Sequence, residues 1–141
     1  MSSLVEMNQI FNAPVETVFA EFANHERFGE LLGVPMKLIK DGSKDPNGLG
    51  SVRQVLLGPL PILEETVVSY KENELIEYTI TSLSPFKSHL GRLEFKTVNK
   101  KTVLNYSISA EPWIPFTELA LLKVLELVIN NALQNYANSL A

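Results

Sequence analysis

The residues able to do chemistry in this chain are few, and strand periodicity is what groups them. Side chains alternate between the two faces of a strand, so residues two apart share a face. Arg53 falls with Val55 and Leu57, and Tyr78 with Ile76 and Ile80. His89 falls with Gly91, Leu93 and Phe95, and Tyr106 with Leu104, Ile108 and Ala110. Each of these polar residues therefore belongs to the more apolar face of its strand. Glu65 is ambiguous: it alternates with Val67 and Ser69, whereas Glu64 alternates with Thr66, Val68 and Tyr70.

A few polar groups on an apolar wall are the pattern of a small-molecule site. Arg53 can meet a carboxylate or phosphate at two points. Glu65 can pair with Arg53 across adjacent strands or act as a base. His89 can donate to a carbonyl or move a proton near neutral pH, and the hydroxyls of Tyr78 and Tyr106 can donate. A cyclisation or aldol-type dehydration needs a base near an acidic C–H and a donor for the developing enolate oxygen. Each residue also has a plainer reading. A buried ion pair is weak evidence of function, a lone histidine among apolar neighbours is more often core, and inward tyrosines usually pack with the hydroxyl at the rim. His25, beside a helix start, reads as a surface residue. Trp113, after Pro112, reads as packing the final helix onto the sheet.

Other chemistry is excluded or thin. The chain has no cysteine, hence no disulfide, thiolate metal site or cysteine nucleophile. Its two histidines are far apart, a poor basis for a catalytic zinc site. No Gly-x-Ser-x-Gly, P-loop or dinucleotide-binding glycine pattern occurs, so no metal and no cofactor is expected. A net charge of -4 argues against a nucleic-acid partner. The start, Met1 to Glu6, has no basic region or apolar run, so no signal peptide is expected, and with the missing cysteines the expected location is the cytoplasm. The richest apolar run, Leu119 to Ile129, is too short to span a bilayer and contains Lys123 and Glu126.

The elements that must position these residues follow from the pattern. At 141 residues the chain reads as one domain, 1–141. Val5, Met7, Gln9 and Phe11 alternate as a first strand. Pro14 suits the first position of a helix over 14–23, capped by Asn12 or Ala13, with Val15, Val18, Phe19 and Phe22 on one side. Asn24 caps a second helix, His25 to Leu32, ended by Gly33. Strands follow at Met36 to Lys40, Gly50 to Leu57, Ile62 to Tyr70, Leu75 to Thr81, Lys87 to Val98 and Thr102 to Glu111. Gly58-Pro59-Leu60-Pro61 is a tight connection whose apolar residues suit part of a lid at a cavity mouth. A final helix runs from Phe116 to Asn138. Hairpin-length connections make the sheet antiparallel. The fold class is therefore α+β, about seven strands curved around one long C-terminal helix.

That helix carries a polar stripe at Lys123, Glu126, Asn130, Gln134 and Asn138. The remainder is apolar over more than the usual width of about 100°. Three readings compete: a deep grip with a solid core, the same grip around an apolar guest, or a second apolar face used for a homodimer or a membrane surface.

Together with the element order, Ala13-Pro14-Val15-Glu16-Thr17-Val18-Phe19, Gly50-Ser51-Val52-Arg53, Glu64-Glu65 and His89-Leu90-Gly91-Arg92-Leu93 resemble the START-like helix-grip superfamily, also called SRPBCC. The nearest branch is the polyketide cyclase/dehydrase and lipid-transport group, and the resemblance covers essentially the whole chain. It implies a cavity between sheet and helix for a lipid-, polyketide- or quinone-like molecule. The residues expected to contact such a guest are Arg53, Glu65, Tyr78, His89, Tyr106, Leu122, Ile129 and Leu133. The first expectation is binding or transport. The alternatives are a cyclase/dehydrase-like enzyme and a non-enzymatic interaction module or co-chaperone, because the fold alone does not choose.

Overall fold

A computed structural model describes residues 3–141, and the side chains of all of these except Ser3 and Glu118. The reading of Met1 and Ser2 lies outside them. Ten elements follow one another: β1 (Ser3–Phe11), α1 (Val15–Ala23), α2 (His25–Leu32), β2 (Met36–Lys40), β3 (Val52–Leu57), β4 (Leu60–Lys71), β5 (Leu75–Ile80), β6 (Phe86–Val98), β7 (Lys101–Pro112) and α3 (Glu118–Ser139). The seven strands form one curved antiparallel sheet in the order β1-β7-β6-β5-β4-β3-β2.

Local chemistry explains most boundaries. Asn24 caps α2, its side chain accepting from the Arg27 amide at 3.1 Å, and Gly33 ends it at φ 75°, where a β-carbon would be strained. The helix expected to begin at Pro14 begins one residue later. Pro14 is extended (ψ 152°) and is itself the cap residue, in place of Asn12 or Ala13; its carbonyl accepts from the amides of Thr17 and Val18. β3 opens at Val52 rather than Gly50, because Gly50 sits at φ 85° and turns the chain. β4 begins two residues earlier than expected. Gly58 and Pro59 make a two-residue hairpin turn with Leu57 paired to Leu60, and the positive φ at Gly58 is what such a turn requires.

The core lies between the inner face of the sheet and the three helices. Phe11, Phe22, Phe28 and Phe95 are buried in it, with ring contacts running from Phe28 through Phe22 to Phe11 and Tyr136. α3 packs chiefly against β1, with smaller contacts to α2 and β7. Its inner side carries Leu122, Ile129 and Leu133, each at most 3 % exposed, and its expected polar stripe faces outward except for half-buried Glu126. Of the three readings of its apolar width, those in which the grip takes up all of it are not met. Val124 and Leu127 are about 60 % exposed and Leu119 more so, and Phe116, the expected first residue of the helix, lies before it at φ 70° and is exposed. At 100° per residue Leu127 points away from Ile129, and one sheet face cannot reach both sides of a helix. Trp113, expected to pack α3 onto the sheet, is 66 % exposed in the connection between β7 and α3.

Candidate functional site

Strand pairing brings the polar residues into one inner row. Arg53 of β3 lies opposite Glu65 of β4, Tyr78 of β5 opposite Gly91 of β6, and Leu93 of β6 opposite Tyr106 of β7. All four strands turn the expected polar residues inward. Glu65 is inward too, and its ambiguity in the sequence has a structural cause. The β4–β5 register shifts between Val67 and Ser69, so one extra residue reverses the alternation, and Glu65 and Val67 share a face with Tyr70 rather than with Ser69.

Arg53 is 2 % exposed, and two of its three side-chain nitrogens have partners. Its Nε donates to Glu65 Oε1 at 2.8 Å. Its Nη1 lies 3.2 Å from His25 Nδ1. A guanidinium can only donate, so His25 Nδ1 accepts. The imidazole hydrogen then sits on Nε2, which donates to Ser51 Oγ at 2.8 Å. The guanidinium carbon lies over the rings of Tyr78 (4.4 Å to the centroid) and Phe28 (5.0 Å). Burial is the strongest single influence on Arg53 and opposes its charge, but the Glu65 carboxylate together with Tyr78 and Tyr106 outweighs it and the group stays protonated.

His25 is therefore no surface residue. It is 1 % exposed, and burial, then the Arg53 charge, lowers its pKa to about 3, which keeps it neutral. A signal for this existed: His25, Phe28, Gly29 and Leu32 recur at helical spacing and share the side of α2 that faces the sheet. Ser51, fully buried beneath it, had no such signal, because its partner lies 26 residues away.

The hydroxyls of Tyr78 and Tyr106 are hydrogen-bonded to each other. Burial raises the pKa of both, so both remain neutral phenols. Gly91 makes this possible, since a β-carbon there would clash with the hydroxyl end of the Tyr78 ring. His89 stacks near Tyr78, with ring centroids 5.5 Å apart. Burial lowers its pKa; Glu65 opposes the shift and Arg53 reinforces it. Among the described residues, His89 Nδ1 and Arg53 Nη2 are the buried side-chain atoms without a hydrogen-bond partner.

Between this row and α3 lies a cavity of about 270 Å³. Of the eight residues expected to contact a guest, Glu65, Tyr78, His89, Tyr106 and Ile129 line it. Arg53, Leu122 and Leu133 are buried but do not line it. Phe28 and Tyr78, which cover Arg53, stand in the wall in its place, and the two leucines are taken up in the packed core. The sequence reading did not single out Leu125 and Val128 as guest contacts; both line the cavity from α3, Leu125 one turn from Leu122 and from Ile129, and Val128 adjacent to Ile129. Of the stretch expected to form a lid, only the neighbouring Ile62 reaches the wall; Leu60 is 62 % exposed and does not. Beside the first turn of α3, Pro85, Trp113, Ile114 and Phe116 outline a separate, open apolar hollow of about 470 Å³.

The chemistry on offer is narrow. The Glu65 carboxylate is held by Arg53 and the tyrosine hydroxyls by each other, so neither pair is a free acid or base. The neutral imidazole of His89 can still accept or donate at Nδ1. Among the described residues no group of three acidic, histidine or cysteine side chains is placed to hold a metal ion, and no helix is long and apolar enough to cross a membrane.

Known proteins agree with this architecture. A START superfamily protein from Mycobacterium smegmatis superposes with a TM-score of 0.78 at 14% identity, covering 98% of this chain and 99% of that one. A protein from Nitrosospira multiformis gives 0.76 at 19% identity, covering 99% and 97%. A point mutant of norcoclaurine synthase from Thalictrum flavum, in complex with a transition state analogue, gives 0.71 at 11% identity, covering 99% and 96%. These identities show a shared fold. A search of curated proteins finds no significant match. The family model described as polyketide cyclase/dehydrase and lipid transport matches residues 4–141, and with nearly the whole length matched the chain belongs to that family.

Proposed function

We propose that this domain of the polyketide cyclase/dehydrase and lipid-transport family binds, and in that way carries, one small amphipathic molecule in the cavity between the sheet and α3, acting as a single domain in the cytoplasm. The observation that supports this is the cavity itself. Its walls are apolar side chains from sheet and helix, interrupted by Glu65, Tyr78, His89 and Tyr106. At about 270 Å³ it sits near the lower end of small-molecule sites, roughly 300–1,000 Å³. That size favours a guest of one or two rings, or a short acyl chain, over a long-chain lipid.

The test is a titration of the full chain with the uncharged fluorophore N-phenyl-1-naphthylamine, beside Leu125→Trp, which would fill the cavity from α3. Saturable binding to the wild type, lost in a folded Leu125→Trp chain, is expected. Equal binding to both would place the probe elsewhere and end the proposal. Mass spectrometry of an organic extract of the purified protein would name any guest carried from the cell.

A second reading, catalysis of the cyclase/dehydrase kind, has one observation in its favour. His89 Nδ1 is a buried, neutral, unpartnered group among the described residues at the cavity wall. The norcoclaurine synthase structure adds that a chain of this fold holds a transition state analogue. Under this reading His89 takes a proton from a carbon next to a carbonyl, and bound 2-acetylnaphthalene exchanges its methyl hydrogens with deuterated solvent faster than in buffer. Exchange at the buffer rate retires the reading; His89→Gln should restore that rate if it holds.

A further inference from the structure

We infer that the cavity selects guests whose polar head is uncharged, such as a phenol, alcohol, aldehyde or ketone, and rejects carboxylates and phosphates. This rests on the proposed binding function and names the class of guest.

The first ground is how Arg53, the cation behind the cavity wall, is used. It is the residue that a carboxylate or phosphate would seek, and two of its three side-chain nitrogens are already taken. Nε is on Glu65 and Nη1 is on His25, and the guanidinium lies over the rings of Tyr78 and Phe28. Nη2 is buried, and Arg53 is not part of the cavity wall. An anion in the cavity meets Tyr78 and Phe28, which do line it, in place of Arg53.

The second ground is charge. The Glu65 carboxylate lines the cavity while its arginine partner does not. The wall a guest meets therefore carries a negative group, and the Arg53–Glu65 pair as a whole sums to zero. Both histidines of this region are neutral, their pKa values lowered by burial. Moving an ionised head into such surroundings strips its hydration, and no partner there replaces it.

The third ground is what remains for a guest to bond. Within the tyrosine pair one hydroxyl donates to the other, which leaves a single O–H uncommitted among the described residues. His89 Nδ1 supplies the second point. One hydroxyl hydrogen and one imidazole nitrogen on an apolar wall match a single carbonyl or hydroxyl oxygen. Leaving that nitrogen buried and unbonded is costly, so a guest that satisfies it gains more than its apolar area provides.

The experiment compares naphthalene, 2-naphthol, 2-naphthaldehyde and 2-naphthoate, one ring system with four heads, by calorimetric titration of the full chain at pH 7. 2-Naphthol and 2-naphthaldehyde should bind roughly tenfold tighter than 2-naphthoate, the ratio that about 1.4 kcal/mol produces. They should also bind tighter than naphthalene. His89→Leu and Tyr106→Phe, each conservative in volume, should bring 2-naphthol down to the naphthalene value and leave naphthalene unchanged. If 2-naphthoate binds tightest, Arg53 is open to anions and the inference is overturned. Equal affinity for naphthalene and 2-naphthol overturns it too, while leaving the cavity reading intact. If none of the four binds, both fall.

Discussion

His25 shows how one buried residue can set the pH response of the whole molecule. In the unfolded chain it titrates near 6.5, whereas in the fold burial and Arg53 hold it to about 3. Below pH 6.5 the unfolded chain takes up a proton that the native state refuses. Stability contributed by neutral His25 is therefore complete above that value and drains away as the pH falls toward 3. His89, also lowered by burial, adds in the same sense. At about 1.4 kcal/mol per pH unit the loss from His25 reaches at most a few kcal/mol. Urea denaturation from pH 7 to pH 4 should show a steeper decline for the wild type than for His25→Gln; parallel declines would mean that His25 carries none of it. Gly91 offers a second test. Gly91→Ala places a methyl group against the hydroxyl end of the Tyr78 ring, which is buried and bonded to Tyr106. A loss on the order of 1–3 kcal/mol is expected from such overpacking, read as a lower urea midpoint.

At the scale of elements, α3 has two apolar sides that the same composition cannot tell apart. Leu122, Ile129 and Leu133 face the core, whereas Val124 and Leu127 face water. Leu133→Ala should cost about 2–5 kcal/mol through transfer and cavity terms. Leu127→Ser should stay within about 0.5 kcal/mol. Comparable losses at both positions, in thermal or urea melts, would show that the outer side is covered in solution. The strands were more legible than the helix. Alternation gave the inward set Arg53, Tyr78, His89 and Tyr106 because each of their strands keeps its register through that residue. It was ambiguous at Glu65, where the irregularity after Val67 reverses the parity of β4.

For the whole molecule, a guest that binds only the folded state must raise its stability. At a hundredfold excess over Kd the gain is about 2.7 kcal/mol, which for a chain of this size moves Tm by roughly 5–10 °C. 2-Naphthol at that excess should produce such a shift in the wild type and none in Leu125→Trp. A shift in both would locate binding outside the cavity, for instance in the apolar hollow beside Trp113 and Phe116.

The amino-acid sequence by itself determined the order of elements, the antiparallel sheet and the inward face of most strands. Those properties are local: they follow from periodicity, turn residues and caps, each acting over a few positions. Only the tertiary structure decided which buried groups meet. His25 joins Ser51 and Arg53 across 26 and 28 residues, and Tyr78 joins Tyr106 across 28. It also decided that Arg53, the most suggestive charge in the sequence, is enclosed behind Tyr78 and Phe28 and does not face the cavity. Such contacts depend on how a helix seats on a curved sheet, a long-range packing outcome that no short window of sequence encodes.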